Sequence, residues 1–184
     1  MGSGRSFDAF EWGLGVTWLA DQRADLAVER ILDAAARLFA EQGVDQPGMD
    51  EVARTAGCSR ATLYRYFASR RALQIAFARR EAAAITEEVT GRVRRLHKPE
   101  RRVAESVLGC VQAVRTRPYL TAWYAGAGAP VLREVLHESA LIEEVAGSDP
   151  DRARWLLRIV LSFLTDPGAD EAEERRLIER FVGA

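Results

Sequence analysis

MDEVARTAGCSRATLYRYFASRRAL, residues 49–73, decides how the rest of the chain is read. Gly48 opens a short helix over residues 49–56 and Gly57 stops it, Ser59 caps a second short helix, and Ser69 caps a long one reaching about Leu96. Two helices of about two turns each, joined by a turn of three or four residues that holds a glycine, form a helix-turn-helix unit. Val52, Ala53, Leu63 and Phe67 fit its inside, where Ala53 lets the helices approach and Gly57 supplies the positive φ of the turn. Arg60, Thr62, Tyr64, Arg65 and Tyr66 are left to project outward from the second helix. Such a helix fits the major groove, where Arg pairs bidentately with guanine and Tyr or Thr reach phosphates and thymine methyls.

The helix starts carry a second signal. Arg60 follows one, and Arg70 and Arg71 follow the next. A cation there opposes the helix dipole at a cost of about 0.3–1 kcal/mol. Once an anion sits at the helix start, free N–H groups, dipole and Arg act together, which places DNA phosphates near Ser59 and Arg70. Any one of these Arg reads equally well as a solvated side chain; the combination argues for DNA.

Charge along the chain agrees. From Glu51 to Arg80 seven Arg face one acid, a net of +6, whereas from Val131 to the end seven Arg face twelve acids, a net of −5. A basic pole on an otherwise acidic protein marks a local polyanion site. Lys98 is the only lysine, so the positive groups are nearly all guanidinium forks.

Other chemistries find little support. Cys58 and Cys110 lie far apart and suggest no disulfide framework, and His97 and His137 have no Cys or His neighbours at ligand spacing, so no metal or cofactor is expected. The pairs Glu87–Glu88, Glu143–Glu144 and Glu173–Glu174 point about 100° apart on a helix and do not converge on a substrate. No nucleophile motif or phosphate-binding glycine loop occurs, so the chain does not read as an enzyme. No apolar run approaches membrane-spanning length; the expected location is the cytoplasm, nucleoid-associated when bound to DNA.

Outward from residues 49–73 the chain reads as helix after helix, an all-α protein with a small N-terminal unit and a larger bundle. Residues 7–20 form an aromatic arm broken by Gly13 and Gly15, partly helical at most, and the first strong helix spans residues 25–42. The arm packs, stays disordered, or reaches to DNA with Arg5 in a minor groove; the cost of leaving Phe7, Phe10, Trp12 and Trp18 wet favours packing. A helix follows near residues 100–115, then a bent region marked by Pro118, Gly126, Gly128 and Pro130, then helices starting at Pro130, at Pro150 and near Asp170. Trp155, Leu156, Ile159, Val160 and Phe163, with Leu177, Ile178, Phe181 and Val182, exceed what a lone hairpin buries and mark a dimer interface, unless both helices simply cap the bundle. A single helix-turn-helix is a small interface, and such proteins bind as two-fold dimers on palindromic half-sites.

MDEVARTAGCSRATLYRYFASRRAL resembles the DNA-binding region of the TetR/AcrR family of bacterial transcriptional regulators, closely over residues 25–75 and only in size and helical style beyond. The resemblance implies a DNA-binding set of Ser59, Arg60, Ala61, Thr62, Tyr64, Arg65, Tyr66 and Arg70, with Arg60 to Tyr66 as the recognition helix and Arg70 in place of a phosphate-binding Lys. Gly48 departs from the family's Ser or Thr cap, so that phosphate contact is not expected here. Cys58 stands where the family has a small apolar residue and reads as filler, with redox sensing as the alternative. The family further implies that the last two helices pair with a second copy as a four-helix bundle. Its middle helices would enclose a small-molecule pocket, for which Val107, Val111, Tyr119, Trp123 and Tyr124 are candidate lining residues beside a bend at YAGAGAP, residues 124–130. The implied division is an arm over 1–22, a helix-turn-helix domain of three helices over 23–70, and an effector-binding and dimerisation domain over 71–184. The expected function is a homodimeric repressor released from a double-stranded DNA operator by an unknown small-molecule effector. The alternatives are a DNA-binding regulator controlled by abundance, a partner protein or Cys58 oxidation, and a helical protein–protein module that has lost DNA binding.

Overall fold

The computed structural model describes the backbone of residues 12–126, 128–137, 140–147 and 149–181, and side chains from residue 22 onward except those of residues 137, 140 and 143. Among the described residues there are ten helices and no strand, so the chain is all-α. They are α1 (Trp12–Gln42), α2 (Met49–Ala56), α3 (Arg60–Tyr66), α4 (Arg70–Val93), α5 (Pro99–Arg115), α6 (Pro118–Ala125), α7 (Ala129–His137), α8 (Ala140–Ala146), α9 (Pro150–Thr165) and α10 (Glu171–Phe181). No helix among the described residues is long and apolar enough to cross a membrane.

Several boundaries differ from the sequence reading. The first helix begins at Trp12 rather than near Asp25 and carries Gly13 and Gly15 inside it. Glycine weakens a helix by about 1 kcal/mol relative to Ala without clashing, so it does not stop one that is otherwise continuous. The arm's Phe7 and Phe10, and the side chains of Trp12 and Trp18, lie outside the described residues. Residues 118–125, expected as a bent region, form the two-turn α6, with Pro118 in the first turn, where its missing N–H costs nothing. Gly128 lies flat on the Trp123 indole, where a Cβ would come within 2.2 Å of the ring, so only glycine fits. α4 ends at Val93, short of Leu96, and α8 is a helix that the proline pattern did not announce.

Two apolar clusters hold the helices together. The first runs from Ile31, Leu38 and Phe39 of α1 through Val52 of α2 and Leu63 of α3 to Leu73 and Phe77 of α4, and continues into Leu120 and Trp123 of α6 and Val131 and Val135 of α7. Phe77 is its centre. Its ring meets Phe39 edge-on at 4.9 Å and lies 5.9 Å from Tyr119 and 6.4 Å from Trp123. The second cluster gathers Val103, Val107 and Val111 of α5 against Leu156 and Val160 of α9 and Ile178 of α10.

A buried ion pair ties α5 to the far end of the second cluster. Arg115 donates both terminal nitrogens to Glu174 at 2.7 and 2.8 Å and also reaches the Phe163 carbonyl at 2.7 Å, while the Gly168 amide donates to Glu174 at 2.9 Å. The hydrogen bonds from Arg115 hold the Glu174 carboxyl below its ordinary value near 4.5, against the opposing effect of burial. A folded value below the unfolded one means that the pair's contribution is complete above about pH 4.5 and is lost as the pH falls through the folded value. Glu174→Gln should therefore cost roughly 3 kcal/mol at pH 7, the low end for unpairing a buried charge because Arg115 keeps some solvent. Urea unfolding at pH 7 and then at pH values stepped down below about 4.5 should show wild type losing more stability on acidification than the variant.

Candidate functional site

The first site is built from α2, α3 and the start of α4, and local interactions set it. Gly57, at φ 69°, closes α2: its N–H bonds to the Arg54 carbonyl at 3.1 Å and the Cys58 N–H to the Ala53 carbonyl at 2.9 Å, the paired closure that needs a left-handed residue. Three residues later α3 begins, with the Ser59 hydroxyl accepting from the Thr62 N–H at 3.1 Å and bonded to the Thr62 hydroxyl at 2.9 Å. Ser69 caps α4 in the same way through Ala72. Gly48, in extended conformation, makes no side-chain cap for α2. Val52, Ala53, Leu63 and Phe67 are all buried, which holds α3 by its inner edge on α2 and within the core shared with α1 and α4.

What α3 leaves outside is a compact polar face. Arg60, Ala61 and Arg65 are exposed, Tyr64 is 48% exposed, and Thr62 is half-buried beneath its bond to Ser59. Tyr66 differs from the outward position expected of it: its ring is half-buried against the core, and the Arg65 guanidinium lies 5.0 Å above it. Sequence spacing alone did not separate Tyr66 from Tyr64, because a seven-residue helix packed on two neighbours covers more than one edge.

Each Arg at a helix start has an oxygen partner within the protein. Arg60 pairs with Asp50 of α2, Arg71 with Glu134 of α7 at 2.8 Å, and Arg70 turns back to the Val44 carbonyl at 3.4 Å. The Arg60 and Arg71 pairs are exposed, so they contribute little to stability and exchange readily for another anion. Cys58 is half-buried and packs against the core behind the turn.

A second feature lies behind this unit. α4, α5, α6, α7 and α9 line an apolar pocket that encloses about 30 Å3 and opens to solvent on one side. Ala78, Ala82 and Ile85 of α4 face Leu132, Val135 and Leu136 of α7 across it. Glu81 is its one charged lining residue; the Tyr119 hydroxyl donates to Glu81 at 2.8 Å and Arg117 lies 3.5 Å away. Burial, and then the Glu81 carboxylate, push the Tyr119 hydroxyl up to about 12, so it stays a donor.

Of the five residues expected to line a pocket, only Tyr124 borders this cavity. Val111 is core between α5 and α9, Trp123 is buried against Phe77, and Tyr119 touches the cavity's wall only through Glu81. Val107 lies at a separate, smaller cavity. Sequence reasoning looked to α5 and to residues 119–124, whereas this cavity is bordered mainly by α4 and α7. Ala78 and Ala82, one turn apart, were the available signal.

The apolar residues of α9 and α10 divide in two. Leu156, Val160 and Ile178 face inward and are buried. Trp155, Leu177 and Phe181 remain 42, 41 and 61% exposed, with Ile159 and Phe163 half-buried between. Val182 lies outside the described residues. Among the described residues no group of His, Cys, Asp and Glu could hold a metal ion.

Comparison with known proteins bears on both the α2–α3 unit and the whole chain. The sequence profile of the family described as "Bacterial regulatory proteins, tetR family" matches residues 31–77. A protein of Mycobacterium tuberculosis described as an uncharacterized HTH-type transcriptional regulator is 40% identical over 180 residues, covering 91% of this chain and 89% of that one. Among solved structures, the transcriptional regulator FadR from Bacillus subtilis in complex with stearoyl-CoA superposes with a TM-score of 0.62 at 14% identity, over 85% of this chain and 97% of that one. RolR in complex with resorcinol superposes with a TM-score of 0.65 at 21% identity, over 86% of each chain. At these identities the two structures speak for the fold alone.

The turn offers a direct check on the geometry. Nothing lies within 4 Å of a Cβ added at Gly57, so Gly57→Ala carries only the conformational cost of a left-handed residue, about 1–2 kcal/mol. Urea unfolding should read that loss, and Gly57→Asn, which tolerates the same φ, should recover part of it.

Proposed function

The chain belongs to the tetR family of bacterial regulatory proteins and is a DNA-binding transcriptional regulator, and from that premise we propose that it works as a homodimeric repressor released from a palindromic operator by a small, mostly apolar ligand. One observation carries the reading: α4 belongs to both halves of the device. Its first turns, Leu73 and Phe77, share one buried cluster with Phe39 of α1 and Leu63 of α3, and its next turns, Ala78, Ala82 and Ile85, form one wall of the cavity. A ligand that fits the cavity better in one position of α4 than in the other shifts the equilibrium between those positions, and with it the aim of α3. Residues 23–70 then act as the reading head and 71–184 as the effector-binding and dimerisation part, sharing α4 as the lever.

In this reading Arg60, Tyr64 and Arg65, with Ala61, face the bases, while Ser59, Thr62, Tyr66 and Arg70 bound the phosphate edges. The cavity accepts a hydrocarbon body, with Glu81 and Tyr119 available to a single polar group. That chemistry lies between what the names of the two structural neighbours report, a fatty acyl thioester for FadR and a small phenol for RolR. The second copy covers the outer stripe of Trp155, Ile159, Phe163, Leu177 and Phe181, an apolar edge that a lone chain leaves wet.

Selection of bound genomic fragments, followed by titration of the selected site, tests the reading. Arg65→Ala should weaken binding to that site by about 1–3 kcal/mol and relax preference at one base position. An equal loss on every sequence would instead make Arg65 a phosphate contact. The dimer is tested separately: Trp155→Glu with Phe181→Glu should give a folded monomer by sedimentation equilibrium, with operator affinity falling by at least about tenfold as two-site contact is lost. A dimer that persists in this variant would overturn that interface.

A further inference from the structure

The densest positive charge of the chain lies outside the reading head. Residues 92–102 hold six cations (Arg92, Arg94, Arg95, Lys98, Arg101 and Arg102) and one acid, Glu100, a net of +5 in eleven residues. The segment is the end of α4, the connection to α5 and the first turn of α5, so its charges gather where two helices meet. Leu96 packs half-buried against the core, while Arg94, Arg95, His97, Lys98 and Arg101 around it are exposed. Arg92 pairs with Glu88, and Arg102 with Glu144 at 3.1 Å. Arg94, Arg95, Lys98 and Arg101 carry no ion pair among the described residues. The α3 end of the molecule differs, for there Arg60 and Arg71 have carboxylate partners and Arg70 a carbonyl. Four like charges side by side without a counter-charge repel one another, and a polyanion laid across them supplies what is missing.

We propose that this turn is a second DNA-backbone site, which holds the phosphates of a duplex segment other than the one met by α3. Three of the four unpaired cations are Arg, whose forks donate bidentately to phosphate oxygens. A protein partner fits poorly, because the middle of a protein interface is depleted in charge and rich in apolar side chains. A lipid surface calls for an apolar insert or anchor beside the cations. The turn offers neither, since its one Leu is packed against the core. The 24 residues of α4 separate the turn from Ser69 by about 36 Å at the helical rise. One subunit thus holds two segments of DNA and bridges them, reading charge at the turn rather than sequence, as backbone contacts do. The site rests on the chain being a DNA-binding regulator and does not need release by a ligand.

A capture assay on the full chain tests this. The selected operator, cut to the length of its two half-sites, is immobilised and saturated with protein, and after washing a labelled duplex of random sequence is added. Wild type should hold the second duplex at about 50 mM salt and lose affinity for it about a hundredfold at about 200 mM, the slope of four phosphate contacts. Arg94→Gln with Arg95→Gln, Lys98→Gln and Arg101→Gln should abolish the capture. Operator affinity should change by less than about twofold in that variant, because the turn lies beyond a Debye length from α3. Arg94→Lys with Arg95→Lys and Arg101→Lys keeps the charge and should keep most of the capture. All four positions are exposed, and circular dichroism establishes that each variant is folded. If no operator is selected, the repressor reading fails on its own, and the same capture is read with a random duplex immobilised in its place. The proposal is overturned if DNA-bound wild type captures no second duplex at the lower salt, or if the Gln variant captures as much as wild type. It is also overturned if vesicles of phosphatidylglycerol and phosphatidylcholine are captured and the duplex is not.

Discussion

The contact on which the rest of the molecule depends is the packing of Phe77. From the first turns of α4 its ring meets Phe39 of α1 on one side and Tyr119 and Trp123 of α6 on the other. A fully buried ring among aromatics is among the costliest side chains to move or remove, because interiors are close-packed and a shifted ring leaves a void. The helix-turn-helix and the bundle are therefore not two bodies on a hinge. Leu63 and Phe67 attach α3 to the same continuous core that ends at Val131 and Val135 of α7. A displacement beside the cavity has to pass through this core to reach the reading helix, and packed cores transmit such shifts as discrete repacking steps.

Charge is arranged with the opposite logic at the two ends. Near α3 the Arg residues are held by exposed or long contacts: Arg60 to Asp50, Arg71 to Glu134, Arg70 to a carbonyl at 3.4 Å. Solvent screens the Arg60 and Arg71 pairs, so phosphate oxygens compete for those two at small cost. At the far end the Arg115–Glu174 pair is bidentate, supported by a backbone amide and a backbone carbonyl, and almost fully enclosed on the Glu side. There a missing partner would leave a desolvated charge, so the pair fixes where α10 sits against α5 and α9. The labile cations belong to the surface proposed to meet a polyanion, and the fixed pair to the surface that holds α10 against α5 and α9.

The limits of α2 and α3, the Gly57 turn, the Ser59 and Ser69 caps and the four inward residues Val52, Ala53, Leu63 and Phe67 were legible in the sequence. Each follows from interactions between residues three to five apart, or from an apolar spacing that only one packing satisfies. The same local chemistry marked Pro150 as a helix start. It did not show that α1 runs back to Trp12, because glycine lowers helix propensity without forbidding a helix. Nor did it show α6, where Pro118 marks a beginning that the sequence pattern presented as an interruption.

By itself, then, the sequence determined the all-helical class, the helix-turn-helix and, Tyr66 apart, the side of α3 that stays wet, because periodicity and caps are written in neighbouring residues. The tertiary structure alone decided which apolar residues became wall, core or exposed edge. A cavity is the space left by side chains from five helices, and its border at Ala78, Ala82 and Leu132 depends on what those helices place opposite one another. It likewise turned Leu156, Val160 and Ile178 inward, left Trp155, Leu177 and Phe181 outside, and withdrew Val111 and Trp123 into the core. Helical spacing gives an apolar stripe but not which half of it a neighbour covers; that is fixed by the positions and angles at which the helices meet.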